Sequence, residues 1–435
     1  MTTARAEHRG TGPAAYPYWW DHVAPPAADE APLPAAVDVL VVGAGYTGLC
    51  AALVTARAGR STLVLDAEHS GFGCSTRNGG QISTSIKPDY DELCRRYGRE
   101  RGYAVAREGH NALDWIERFV ADEAIDCDFA VVGRFHGAHS RTAFEQLTAG
   151  IGKRPEGLEI PCEVVSRSEQ HRVLGTDAYH GGVIYPRHAS LHPAKFHRGI
   201  HDRVCAAGGR VVGRSAVTGI VRERGGFVVT TGRGVVNARD VVIASNGYTA
   251  GVTPYLRRRV IPIGSYVIAT EPLPTGVMDR IMPTDRIVSD TRKVVYYYRP
   301  SPDRTRIVFG GRVSASETDT RVSAPRLHAA MAALFPELAG TAVSHSWMGF
   351  VAYTFDTLAH TGVHDGMHYA MGYCGSGVSM ASYLGTRTGQ KVLGLAEGRT
   401  GFDAIEMPTR PLYRGRPWFL PAAVAWYRWR DRLSA

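Results

Sequence analysis

Residues 37–68, VDVLVVGAGYTGLCAALVTARAGRSTLVLDAE, leave this chain few choices of fold. An apolar β-run ends in a glycine turn, a helix of small residues follows, and a second β-run closes on an acid. Gly43, Gly45 and Gly48 stand at the spacing G-x-G-x-x-G. The first permits a tight turn, the second lets the backbone approach a pyrophosphate, and the third lets helix and strand pack closely. Tyr46 and Thr47 open the helix, whose N-terminal amides would face the phosphates. Asp66 ends the second strand 18 residues after Gly48, with Ala67 beside it, where a ribose-binding carboxylate is expected. A lone glycine triplet is weak evidence. Strand, helix, strand and acid in one register predict a Rossmann-like α/β unit that binds a dinucleotide.

A second glycine-rich stretch follows at once. Residues 71–80 read GFGCSTRNGG, so poor in side chains that the backbone is expected to come close to another group. A plain nicotinamide-binding unit continues into a helix after the acid. Here the loop's free N–H groups could hold further phosphate oxygens or a flavin edge. The contacts expected from it are Gly73, Ser75, Arg77, Asn78, Gly79, Gly80 and Gln81, with Ser75, Arg77 and Asn78 as the polar side chains. Residues 209–249 read as short strands closing on SNGYT, which puts Ser245, Asn246 and Gly247 at a strand C-terminus, where α/β ligands bind. Val217 would present its backbone to an adenine. Residues 367–394 read as strand, glycine loop and helix. Gly375, Ser376, Gly377 and Val378 then lie at a helix N-terminus, whose dipole suits a flavin edge that becomes negative on reduction. One cofactor across the top of one sheet accounts for all of these segments.

The chain has 435 residues and a formal charge of +9, and only five of its 50 basic residues are lysine. Its length predicts more than one domain. No basic run of the kind that binds nucleic acid occurs, so the charge is read as a solvated arginine-rich surface and no nucleic-acid partner is expected. Seven cysteines without a C-x-x-C pair predict reduced thiols and a cytoplasmic setting. Neither they nor the 17 histidines have the spacing of a metal site. No apolar stretch is long enough to span a bilayer, and no secretory leader is read at the N-terminus.

Boundaries follow from changes in pattern. Residues 1–36 read as an arm anchored by YPYWW at 16–20. Residues 37–85, 156–254 and 340–403 form a discontinuous cofactor domain, 86–155 and 255–339 a substrate domain, and 404–435 a tail. Within the substrate domain, 86–155 shows helical periodicity and 255–335 reads as a sheet with loops. Val294–Tyr298 suits a sheet face that floors a site. Tyr266, Tyr298, Trp347 and Tyr373 are the expected substrate cage, able to receive an amine by cation–π contact. Arg312, after Gly310-Gly311, is a candidate carboxylate clamp. His192, His345 and His360 are histidines read as structural.

From about Val37 onward the pattern resembles the D-amino-acid oxidase-like superfamily of FAD oxidoreductases, and within it the γ-glutamylputrescine oxidase-like amine oxidases. The resemblance rests on GAGYTGL, GFGCSTRNGGQ, IDCDF at 125–129, LHP at 191–193, GRVVGRSAVTGI, VVIASNGY, FPEL, SWMGF and YRWRDRL. It implies a glutathione-reductase-like FAD-binding domain with an interleaved mixed-sheet substrate domain. It also implies oxidation of a C–N bond in a small-molecule amine to an imine that hydrolyses, the flavin carrying the redox chemistry. Three departures from relatives bear on detail. No cysteine lies between Cys205 and Cys374, which implies non-covalent FAD. The strand RIVFGG has Val308 where sarcosine-oxidase relatives place an oxygen-activating lysine, so oxygen or another acceptor stays open. Ser379 replaces a lysine that binds substrate carboxylate in those relatives. The alternatives are a D-amino-acid or imino-acid dehydrogenase and, in another class, a flavoprotein at RNA or a membrane surface, for which the aromatic-basic tail argues.

Overall fold

Two eight-stranded sheets organise the chain. The computed structural model describes residues 12–312 and 317–433; positions 1–11 of the expected arm lie outside the described residues. The first sheet is built on the strand predicted from VDVLVV. Ala36–Val42 runs parallel to Thr62–Leu65 on one side and to Gly234–Ile243 on the other. Arg210–Val212 and Met367–Met371 extend the parallel core, and the hairpin Val217–Glu223/Gly226–Thr231 adds antiparallel strands. Strands covered on both faces must be apolar at every position. Accordingly Val39 and Val41 pack toward the helices, while Leu40 packs with Leu63, Leu65 and Phe227 on the opposite face.

Two of those helices are brought unusually close by glycine. A Cβ on Gly385 would stand 2.4 Å from the Thr47 carbonyl oxygen, and one on Gly389 would stand 2.7 Å from that of Ala51. Helices Tyr46–Arg57 and Gly377–Val392 therefore cross with their backbones nearly touching, and both N-termini open on the same cleft.

The second sheet is mixed, as expected from the sequence. Its order is Val343–Tyr353, Ile261–Thr270, Ile307–Gly311, Tyr297–Pro300, Ile287–Asp290, Arg134–Gly137, Gly182–Tyr185, Glu163–Val165. All neighbours are antiparallel except Ile287–Asp290 with Arg134–Gly137. One face packs on helix Thr320–Leu334 through Tyr266, Ile268, Tyr298 and Phe309. The other face floors the cleft.

Four elements lie across the domain boundaries that the sequence implies. Glu163–Val165, Gly182–Tyr185 and Val343–Tyr353 were expected in the cofactor domain and pair in the second sheet instead. Conversely, Arg99–Asp122 packs Val105, Ala112, Leu113 and Ile116 onto the helical layer of the first sheet. Apolar periodicity identifies a helix and its buried face, but it does not say which sheet that face meets. The arm is anchored as YPYWW implies. Tyr18 and Trp19 are buried with Val267, Val308 and Trp347 at one end of the second sheet. In the tail, helix Leu420–Leu433 buries Leu420 and Val424 against the cleft.

Candidate active site

A continuous cleft of about 1160 Å³ runs between the sheets. That exceeds the roughly 300–1,000 Å³ of ordinary small-molecule sites and leaves room for two ligands side by side. Its first end is made of backbone. Gly43 has φ +109°, and a Cβ there would stand 2.8 Å from the Ala244 carbonyl oxygen. A Cβ on Gly48 would come within 1.9 Å of the Gly43 oxygen. Gly43, Gly45, Tyr46 and Thr47 line the cleft, whereas Gly48 stands behind them as a packing residue. Asp66 and Ala67 lie at the rim. The Asp66 carboxylate accepts the Ala44 N–H at 2.7 Å and the Glu68 N–H at 3.0 Å. Each oxygen keeps a further lone pair, and burial raises the group's pKa. Val217, Ser245 and Asn246 complete this end. Gly247 instead makes room for Phe350, whose Cβ would be 3.1 Å from an added Cβ.

The loop at 71–80 curls into a short 3₁₀ turn, Cys74–Thr76, and its polar side chains work mostly on the loop itself. Asn78 donates Nδ2 to the Cys74 and Ser75 carbonyls, both at 3.0 Å, and accepts the Gly80 N–H at 2.8 Å. Arg77 donates Nε to the Phe72 carbonyl at 2.6 Å, its guanidinium over the Phe72 and Trp20 rings. Ser75 Oγ accepts the Tyr46 N–H at 2.9 Å, joining loop to helix N-terminus. Three indoles fasten the loop from outside. Trp19 donates to the Asn78 carbonyl, Trp20 to Thr76 Oγ1 and Trp347 to the Arg77 carbonyl, at 2.9, 3.0 and 2.9 Å. Gly73, Ser75, Arg77, Asn78, Gly79 and Gln81 line the cleft, while Gly80 is turned to Leu191.

Across the cleft stand Gly375, Ser376, Gly377 and Val378, the opening of the second helix. Tyr373 joins them, its hydroxyl 2.6 Å from Thr47 Oγ1. The remaining members of the expected cage are placed differently. Tyr266 and Tyr298 lie in the core beneath the sheet, Tyr266 bonded to Glu317 at 2.9 Å and Tyr298 stacked on Phe309. Trp347 is sealed under the arm. Side chains alternate along a strand, so a shift of one position exchanges core for cleft. Tyr297 is the residue that faces the cleft, its hydroxyl 2.8 Å from Ser265 Oγ. Arg312 does line the cleft but donates to Glu317 at 3.0 Å and to the Gly264 carbonyl at 2.8 Å.

Sequence reading missed Lys87, Arg134 and His136 and did not single out Tyr297 within Val294–Tyr298; all four line the cleft. For Arg134 and His136 a signal existed: two basic residues at alternate positions of RFHG, in a strand whose other positions are apolar or glycine. His136 Nδ1 lies 2.9 Å from Ser289 Oγ, and burial next to Arg134 pushes its pKa down to about 3. His192, His345 and His360 are buried away from the cleft. His192 caps helix Pro193–Ala206, and the other two pair with Asp21 and Asp356.

The donor set fits FAD. A cradle that any Cβ would fill, two helix N-termini and a fixed carboxylate at the rim meet in one cleft. The comparisons agree. Residues 38–390 match the family model described as FAD dependent oxidoreductase, DAO. The chain belongs to this family. Gamma-glutamylputrescine oxidoreductase of Escherichia coli strain K12 is 32% identical over 411 residues, covering 91% of this chain and 93% of that one. The family's two-domain fold is shared with glycine oxidase from Geobacillus kaustophilus, at TM-score 0.70 and 17% identity over 87% of this chain and 99% of that one. It is shared also with L-proline dehydrogenase from P. horikoshii, at TM-score 0.68 and 16% identity over 90% and 99%. The protein is an FAD-dependent oxidoreductase enzyme with a glutathione-reductase-like nucleotide sheet and an interleaved mixed sheet. Among the described residues no helix is long and apolar enough to cross a membrane.

Proposed function

We propose that this enzyme oxidises the C–N bond of an amine or amino-acid derivative, a secondary or γ-glutamylated amine, to an imine that water then hydrolyses. One observation carries the reading. The dinucleotide cradle opens without interruption onto a sheet face bearing Tyr297, Ser289, His136 and Arg134. Bound FAD would supply the acceptor for the hydride, one proton with two electrons, that leaves the substrate carbon, while the nitrogen gives up a proton. Gly43, Gly45 and Asp66 would hold its nucleotide half. The amides that begin helix Gly377–Val392 would stabilise negative charge at the flavin edge.

Imine formation needs the nitrogen lone pair, hence an unprotonated amine. The cleft favours that form. His136 is neutral, and burial pushes the Tyr297 hydroxyl up to about 12, so neither adds a counter-charge for an ammonium at pH 7. The apolar flank formed by Leu420, Ala423 and Val424 of the C-terminal helix helps keep water from the reacting carbon. The named substrate of the Escherichia coli relative supports a γ-glutamyl amine. Seven free cysteines support a reducing, cytoplasmic setting.

A spectrum of the purified protein, followed by anaerobic addition of amines and then air, tests the reading. Bleaching of the flavin bands by a γ-glutamyl amine, reversed by oxygen with peroxide formed, is the expected result. Bleaching with slow reoxidation assigns electrons to another acceptor, in keeping with Val308, which is buried under the arm cluster. Protein that shows no flavin bands after reconstitution overturns it. Acid precipitation should leave the flavin in the supernatant, as expected for non-covalent FAD.

A further inference from the structure

Three arginines line the cleft, and two are already engaged. Arg77 donates to the Phe72 carbonyl of its own loop and to the Met348 carbonyl, and Arg312 is bound to Glu317. Arg134 is different. Strand Arg134–Gly137 buries Phe135 in the core of the second sheet and turns Arg134 and His136 to the cleft. The guanidinium stacks on Tyr185, its centre 5.2 Å from the ring, and makes one long hydrogen bond, 3.5 Å to Ser85 Oγ. Its Nε is buried without a partner, and no carboxylate among the described residues stands within ion-pair distance. A planar fork of five donors, mostly withdrawn from water, is costly to leave uncompensated.

No acid of the cleft can serve it. The acidic residues along the walls are Asp66 and Glu68 at the nucleotide end, and Asp290, which is held by Arg292. Further donors and acceptors cluster instead: Ser85 beside the guanidinium, and His136 bonded to Ser289. The position is also informative. The Ser85 carbonyl accepts Ser376 Oγ at 2.6 Å, so Ser85 links Arg134 to the N-terminus of helix Gly377–Val392. The glycine cradle for a pyrophosphate lines the same cleft from the first sheet, whereas Arg134 belongs to the second.

We propose that Arg134 is the anchor for a carboxylate carried by the substrate, so that the enzyme selects amines bearing a carboxylate at a distance from the bond oxidised. The inference rests on the amine reading above and specifies its substrate class. It transfers to Arg134 the role that the sequence offered to Arg312. A γ-glutamyl amine meets the requirement, with its carboxylate at one end and its reactive nitrogen at the other.

The test uses the holoprotein as purified and two ligands without an oxidisable amine, Nα-acetylglutamine and its α-amide, which differ by one carboxylate. Calorimetry should show the wild type binding the anion about 10–100-fold more tightly than the amide, the range expected for hydrogen bonds to a charged group. Arg134→Met should bring the two affinities together. Arg134→Lys, which keeps the charge but not the fork, should retain an intermediate preference. A wild type without preference, or a preference that survives in Arg134→Met, overturns the proposal. If the Met variant does not fold, Arg134→Lys decides: a preference cut threefold or more supports the anchor, and an undiminished one overturns it. Because neither ligand is oxidised, discrimination together with inertness toward every amine would keep the anion site and overturn the amine reading instead.

Discussion

The two ends of the cleft are built by opposite means. Around Gly43 and Gly48 the protein removes side chains so that backbone can approach backbone and ligand. Around Arg134 and Tyr297 it projects side chains from one face of a sheet. The first end tolerates almost no added atom. The second is defined by which residues point inward, and single atoms can be exchanged there. The nucleotide end should therefore fail abruptly on mutation, and the substrate end should change by degrees.

The sharpest break is Gly48→Ala. An added Cβ at 1.9 Å from the Gly43 oxygen forces helix and turn apart. We expect protein with little or no bound flavin, read as the ratio of visible to ultraviolet absorbance. Normal flavin content would show that close approach is not what builds this end. Next is Trp347→Ala, which empties the buried cluster joining the arm to the glycine loop and removes the donor to Arg77. A loss of about 3–5 kcal/mol is expected in denaturant titration. A loss below about 1 kcal/mol would mean the arm does not brace the loop.

Acid adds a test of the fold, because burial holds several histidines neutral, among them His136 on the cleft and His188 beside its strand. Burial lowers His136 and His192 to about 3 and His188 to about 2, while His197, at the nucleotide end, falls to about 4. Each folded pKa lies below the ordinary value near 6.5, so the unfolded chain binds protons first. The stability these groups lend is whole above pH 6.5 and is lost as pH falls toward 4 and below, each group costing about 1.4 kcal/mol per pH unit. Asp66 and Asp290 act in the opposite sense, Asp290 being raised to about 6 by burial. A net loss of about 2 kcal/mol between pH 6 and pH 5 is expected in denaturant titration. A flat profile would show that the folded protein takes up protons over this range as readily as the unfolded chain.

The smallest effect tests strand parity. Tyr297→Phe breaks the bond to Ser265 within the cleft and should shift substrate KM by about 2–10-fold. Tyr298→Phe removes only a long contact to Tyr179 in the core, 3.3 Å, and should cost about 1 kcal/mol of stability at most while leaving KM unchanged. The reverse pattern would put the wrong tyrosine in the cleft.

Much of the nucleotide end was legible because glycine spacing encodes local geometry. A positive φ at Gly43 and the close turn before Tyr46 are properties of a few consecutive residues. The substrate end was legible only as a sheet. Three successive tyrosines, 296–298, satisfy either parity, so nothing within the strand says which ring enters the cleft. Arg312 looked available because nothing in the sequence says that Glu317, five positions on, turns back to accept from both Arg312 and the Gly264 N–H. Trp347 looked exposed to substrate because an arm more than 300 positions earlier in the chain is what covers it.

By itself, then, the sequence determined a parallel nucleotide-binding sheet, its glycine turn, the acid that ends its second strand and a second helix N-terminus, which opens on the same cleft. These depend on backbone conformations that short segments impose on themselves. Tertiary structure decided the membership of the second sheet, the face each of its strands shows, and the pairing of every buried charge. Those outcomes depend on which distant segments arrive opposite one another. Arg134 is the example: it faces the cleft, and no distant segment among the described residues brings a carboxylate within ion-pair distance of it.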